Sequence, residues 1–138
     1  MDWVLLLGRI LFASLFVISG ATIHLLKWRD GVQYARMSGY TWAPELLVPA
    51  SGLVAVLGGL SVAIGVWPDL GALMLAVFVF PVAYFMHAFW KIDDPMMRGI
   101  QQAQFMKNVA LGGAALALFA LFQEFGDEIG LTATGPLF

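Results

Sequence analysis

Long apolar stretches dominate the chain, and four of them are separated by short polar connections. The four segments are residues 4–26, 46–66, 70–90 and 105–123. A helix needs about 20 mostly apolar residues to cross the roughly 30 Å hydrocarbon layer of a bilayer. Backbone N–H and C=O groups find no water there, so each segment must be helical. The pattern therefore predicts one all-α membrane domain, 1–138, built as a bundle of four spanning helices.

The connections between these segments differ in length. Residues 67–69 leave room only for a tight turn, which makes the second and third spans an antiparallel pair. The first loop, 27–44, is longer and holds a short amphipathic stretch, so we predict a short interfacial helix there. In the third loop, Asp94 suits an N-cap and Pro95 suits the first helical position. The fourth helix is therefore expected to begin before its apolar segment.

Composition identifies the bilayer as the solvent of this chain. Of its 138 residues, 61% are hydrophobic and 12% are charged, about half the charged share of a soluble domain. The net charge of −2 provides no basic surface for nucleic acid. The chain has no cysteine, which excludes disulfides, thiol redox chemistry and thiolate-bound metal.

Basic residues lie mostly on one side of the predicted bundle. The two long loops and the start of the fourth span hold Lys27, Arg29, Arg36, Lys91, Arg98 and Lys107. The other side has only Arg9, inside the first span. The positive-inside rule then places both long loops in the cytoplasm and both termini outside. We expect a multi-pass protein of a plasma membrane.

Polar residues of the spans gather at the predicted cytoplasmic end. The candidate ligand-binding residues are Glu45, His87, Trp90, Gln104, Lys107 and Asn108. One interpretation is a structural network in which Glu45 and Lys107 form an ion pair. The other is a pocket for a flat ring with two carbonyls, such as a quinone head, whose oxygens would contact His87, Lys107 or Gln104. Both interpretations rest on the cost of polar groups at membrane depth.

Two further pairs of polar residues were considered. His24 and His87 lie at matching predicted depth and would suit a haem b, but a lone histidine pair is weak support, and we expect neither haem nor another metal. At the opposite end, we predict a structural ion pair between Arg9 and Glu124. No catalytic residue is assigned, because no serine has a neighbouring base and no phosphate or metalloprotease motif is present.

Small residues repeat every fourth position along the second span. They are Ser51, Ala55, Gly59 and Ala63. Such a stripe allows another helix to approach closely. The partner helix either belongs to the same bundle or to a second copy in a homodimer, and the sequence leaves both open.

Several runs resemble a known family. They are Gly8-Arg9, Ser19-Gly20, Gly58-Gly59, 87–90 and 104–113. Over nearly the whole chain these resemble the DoxX family of small bacterial four-helix membrane proteins. The most specific run is Phe105-Met106-Lys107-Asn108 followed by two glycines. The resemblance implies association with quinone or redox systems, because relatives include the membrane subunit of a thiosulfate:quinone oxidoreductase and components of a redox-stress complex.

Three functions remain in view at the level of sequence. The leading hypothesis is a membrane component of a quinone-linked redox system, which binds a quinone or lipid near the cytoplasmic leaflet and works as an oxidoreductase subunit. The alternative is a non-enzymatic scaffold or accessory subunit of a larger complex. The third is an oligomeric transporter or lipid-handling protein. The ligand, the partner proteins and any catalytic activity are left open.

Overall fold

The computed structural model describes residues 1–138, and the chain is all-helical. The helices are α1 (Asp2–Ser19), α2 (Trp28–Met37), α3 (Pro44–Ile64), α4 (Pro68–Met86) and α5 (Pro95–Phe125). A π-helical stretch, Gly20–Leu26, continues α1, and a 3₁₀ turn, Phe89–Lys91, follows α4. Four helices are long and apolar enough to cross a membrane: α1 with its π-helical extension, α3, α4 with the turn after it, and α5. The predicted all-α architecture with four long apolar helices is confirmed.

Proline and side-chain caps set where the long helices begin. Pro44, Pro68 and Pro95 each occupy the first turn of a long helix, where the missing N–H has no helical partner to lose. Asp94 caps α5, because its carboxylate accepts a hydrogen bond of 2.8 Å from the backbone N–H of Met97. The fourth long helix therefore begins well before its apolar segment, as predicted.

The long helices pack as a row in the order α1, α3, α4, α5. The buried core follows α4, where Leu75 and Val79 are almost fully shielded and Phe16 of α1 reaches the same cluster. Helices α1 and α5 stand at the two ends of the row and are not among its closely packed pairs. This arrangement leaves a seam between α1 and α5.

The small-residue stripe of α3 is used inside the chain. Ala55 and Gly59 are buried. A Cβ atom on Gly59 would lie 2.7 Å from Cγ2 of Val17 and 3.2 Å from the carbonyl oxygen of Ala13, both on α1. The stripe therefore lets α1 and α3 approach closely, and it is not a free surface for a second copy. This corrects the homodimer interpretation of these residues.

One end of the bundle carries both chain termini, and we call it the terminus end. Here Arg9 is only 1% exposed. Its guanidinium donates to the carbonyl oxygens of Val62 and Ala63 at 3.0 Å each and of Leu131 at 2.9 Å. The predicted ion pair with Glu124 does not form. The last carbonyls of α3 lack helical partners, and they attract the buried cation instead.

Asp69 fixes the C-terminal tail, 126–138, across the same end. Its carboxylate is fully buried and accepts hydrogen bonds from the backbone N–H groups of Leu137 and Phe138 at 2.9 and 3.1 Å. The side chain of Gln123 on α5 donates to it at 2.9 Å. Nothing in the sequence analysis predicted this contact. The tail and two buried charges thus close the terminus end.

Candidate functional site: a cavity at the loop end

The opposite end of the bundle, which we call the loop end, contains a cavity of about 670 Å³. Helices α1 and α5 form its two sides, α4 forms its floor, and α2 crosses the mouth. This volume lies within the range of small-molecule sites. The cavity occupies the seam that the row-like packing leaves between α1 and α5.

The deep part of the cavity is apolar. It is lined by Phe16, Phe78, Val79, Val82 and Leu111. The rings of Phe16 and Phe78 meet edge to face, with centroids 6.2 Å apart. An aromatic and aliphatic wall of this kind suits a flat, apolar ring rather than a hydrated polar solute.

Four of the six predicted ligand-binding residues line the polar part of the cavity. They are His87, Gln104, Lys107 and Asn108. The Lys107 ammonium donates to the Gln104 side-chain oxygen at 2.5 Å. Because α4 ends at Met86 and α5 begins at Pro95, the short connection brings the end of one helix beside the start of the next. The structure therefore brings most of the predicted cluster together.

Glu45 and Trp90 do not line the cavity, and the predicted ion pair between Glu45 and Lys107 does not form. Glu45 is exposed and forms its ion pair with Arg36 of α2, not with Lys107. Trp90 lies outside the cavity and packs against Tyr84 at a tilt and against Phe105 edge to face, with ring centroids 5.6 Å apart in both cases. Glu45 starts α3 and faces the first loop, so the nearest cation belongs to that loop.

A polar chain crosses the mouth of the cavity. The Nδ1 atom of His87 lies 2.7 Å from the side-chain oxygen of Gln101. The Gln101 amide donates to the hydroxyl of Tyr34 at 3.4 Å, and this hydroxyl donates to the Met86 carbonyl at the same distance. Gln101 and Tyr34 were not predicted. Gln101 lies three residues before Gln104, on the same face of α5, and that spacing was the available signal.

Asn108 has unused hydrogen-bonding capacity. The residue is only 7% exposed and lines the cavity. None of the side-chain hydrogen bonds in the chain involves its carboxamide, whose polar atoms are not fully enclosed. A donor and an acceptor are therefore available to a molecule inside the cavity.

His24 enters the cavity from the π-helical stretch of α1. Its Nδ1 atom lies 3.0 Å from the hydroxyl oxygen of Ser51 and 3.3 Å from the carbonyl of Val48. Its ring meets Phe78 edge to face at 5.5 Å. π-Helical stretches are frequent at functional sites, but neither this stretch nor the Ser51 contact could be read from the apolar pattern. The sequence placed His24 at the predicted cytoplasmic end, where its one suggested role was as a haem ligand.

The fold defines a multi-pass helical membrane protein with a cavity at one end of its bundle. Comparison with protein families gives a match to DoxX over residues 4–88, so the chain belongs to the DoxX family. The earlier resemblance is thus confirmed, although the run at 104–113 lies beyond the matched region. Neither the curated proteins nor the solved structures gave a match.

Proposed function

We propose that this DoxX protein binds a quinone, or a lipid with a similar head group, in the loop-end cavity as the membrane component of a redox system. The observation that carries the proposal is that one cavity combines an aromatic and aliphatic wall with the unpaired amide of Asn108 and the neighbouring Lys107. These features match a flat ring that bears oxygens. They do not depend on the family assignment.

Donors at the polar end suit the oxygens of such a ring. Lys107 offers an ammonium group, and Asn108 offers an amide N–H that no group of the chain accepts. The ring itself would lie against Phe78 and Val82, which remove it from water. His87 would contact the ring oxygen nearest the mouth when that oxygen carries a hydrogen, as in the reduced form of the ring.

The seam between α1 and α5 supports entry from the hydrocarbon layer. Exposed apolar side chains flank it, including Leu15 on α1 and Ile100 on α5, which also line the cavity. A lipid-soluble ligand can reach the cavity through such a seam without crossing the polar mouth. This favours a quinone or lipid over a water-soluble substrate.

We place the loop end at the cytoplasmic face, with both termini outside, on the basis of the loop charges. Helix α2 would lie at the membrane surface, since Val32 and Ala35 are buried while Arg29 and Met37 are exposed. The Arg29 guanidinium lies 5.5 Å from the ring of Trp28, a pairing common at interfaces. A partner redox subunit would then reach the cavity from this side.

The test is mass spectrometry of small molecules extracted after purification in mild detergent. We expect a near-stoichiometric quinone or similar lipid in the wild-type protein and its loss in His87→Ala. Trp90→Ala is the matched control, because Trp90 lies outside the cavity, and it should retain the ligand. Recovery of bulk phospholipid only, from well-folded protein, would refute the proposal and favour the scaffold alternative.

A further inference from the structure

We propose that His24 and His87 act as two hydrogen-bond acceptors of one cavity and select the reduced, hydroxyl-bearing form of the ligand, a quinol. The inference rests on the proposed function and extends it from a class of ring to a redox form. It follows from the partners of the two imidazoles, which fix where each ring carries its proton.

The surroundings of His24 place its proton on Nδ1. The Val48 carbonyl can only accept, and it lies 3.3 Å from this atom. The hydroxyl of Ser51 already donates to the same carbonyl at 2.8 Å, so its oxygen is free to accept from His24 at 3.0 Å. A neutral imidazole has one N–H, and it is used here. The Nε2 atom is left as an acceptor with no partner in the chain.

His87 is held in the same tautomer by a different partner. The amide nitrogen of Gln101 donates to Tyr34, which leaves its oxygen to face Nδ1 of His87 at 2.7 Å. This oxygen can only accept, so the His87 proton also lies on Nδ1. Its Nε2 atom is likewise an acceptor without a partner in the chain.

The two acceptors lie at different depths. His24 contacts the ring of Phe78, and His87 follows Met86, the last residue of α4, which lies eight residues or about 12 Å beyond Phe78 along the helix. Both histidines line the same cavity, so a ligand that fills it passes both acceptors. A quinone presents acceptors at both ends and cannot pair with either imidazole, whereas a quinol presents a hydroxyl donor at each.

Asn108 is compatible with either form, because its carboxamide both donates and accepts. Lys107 only donates, and it pairs with a carbonyl or with the lone pairs of a hydroxyl. The histidines are therefore the residues of the cavity that distinguish the two redox forms. When the oxidised form fills the cavity, each Nε2 atom loses contact with water and gains no donor, which weakens binding of that form.

The test compares a short-chain benzoquinone with its benzoquinol. Each is titrated into purified protein in detergent micelles under nitrogen, and affinity is measured by calorimetry. Two additional hydrogen bonds should make the quinol bind about tenfold or more tightly. His24→Ala should reduce this ratio several-fold, mainly by weakening quinol binding. Thr22→Val is the matched control, because Thr22 belongs to the same π-helical stretch but does not line the cavity.

The outcomes separate this inference from the proposed function. Equal affinities for the two forms, or a preference for the quinone, would overturn the selection of the quinol while leaving a quinone site in place. Binding of neither form would overturn both. The ratio of quinol to quinone affinity in the wild-type protein tests the selection without any variant, so the test still stands if His24→Ala does not fold. A ratio unchanged in folded His24→Ala would remove His24 from the proposal.

Discussion

Both ends of the bundle bury polar side chains, but the two ends differ in how many hydrogen bonds these side chains form within the chain. At the terminus end, Asp69 accepts from backbone and side-chain donors, and Arg9 donates to three carbonyls, with only its Nη1 atom unpaired. At the loop end, Asn108 has no partner and each histidine uses only one ring nitrogen for hydrogen bonding. The first end is closed by its own tail, and the second contains a cavity.

This difference shows that a polar residue at membrane depth is not by itself a functional residue. Arg9 and Asp69 are the most deeply buried charges of the chain, yet their contacts are structural. The loop-end residues are less buried and leave groups unpaired. Partnerless hydrogen-bonding groups that line a cavity, rather than burial alone, mark the candidate site. Four predictions test this contrast.

Asp69→Ala should have the largest effect. The change leaves the N–H groups of Leu137 and Phe138 and the amide of Gln123 without their acceptor, at a cost of about 3 kcal/mol. We expect a clearly lower melting temperature and faster proteolysis of the C-terminal tail. Asp127→Ala, in the exposed part of the same tail, is the control and should leave both unchanged. A wild-type melting temperature in Asp69→Ala would show that the terminus end does not depend on this carboxylate.

Gly59→Leu should destabilise the packing of α1 on α3. Its side chain would collide with Val17 and with the backbone of Ala13, and overpacking of this kind costs about 2 kcal/mol. Gly113→Leu is the control, since nothing lies within 4 Å of a Cβ at Gly113. Thermal unfolding in detergent measures both. Equal stability of the two variants would contradict the close approach of the helices.

Val82→Trp should separate binding from stability. The indole would fill the apolar part of the cavity, so ligand occupancy should fall about tenfold or more while the free energy of unfolding changes by less than about 1 kcal/mol. Val77→Trp, on the exposed side of the same helix, should keep the ligand. The measurement is the amount of ligand that co-purifies with each of the two variants. Full occupancy in Val82→Trp would place the ligand somewhere else.

Gln101→Ala should have the smallest effect on folding. It removes the acceptor for His87 Nδ1 and releases Tyr34, so ligand affinity should fall a few-fold for the loss of about 1 kcal/mol of positioning. Gln102→Ala, one residue later and exposed, is the control. Ligand titration of the two variants gives the comparison. Identical affinities would mean that the mouth of the cavity does not orient His87.

Structural features that depend on residues close together in the sequence were predictable. The all-α class and the four long apolar helices follow from segment length and hydropathy, and the start of α5 follows from Asp94 and Pro95. The grouping of His87, Gln104, Lys107 and Asn108 was also predicted, because a short connection and helical spacing place them together. In each case a few residues close in sequence supply the physical cause.

The predicted ion-pair partners of charged residues distant in sequence were wrong. Arg9 had several candidate acceptors, and the predicted partner was the carboxylate of Glu124. The folded chain offers the unpaired carbonyls at the end of α3, together with one from the tail. Glu45 pairs with Arg36 instead of Lys107, because α2 packs beside α3 and brings Arg36 close to it. Opposite charge alone does not predict which residues form an ion pair, because the packing of the helices sets which charged groups lie close together.

The sequence by itself determined that this chain is a helical membrane protein of the DoxX family, because hydropathy, caps and short motifs are local properties. Only the tertiary structure decided that α1 and α5 leave a cavity between them, that the tail closes the other end, and that His24 bonds to Ser51 at the wall of that cavity. Those outcomes depend on how helices distant in sequence pack and on which buried groups remain unpaired. No local pattern contains that information.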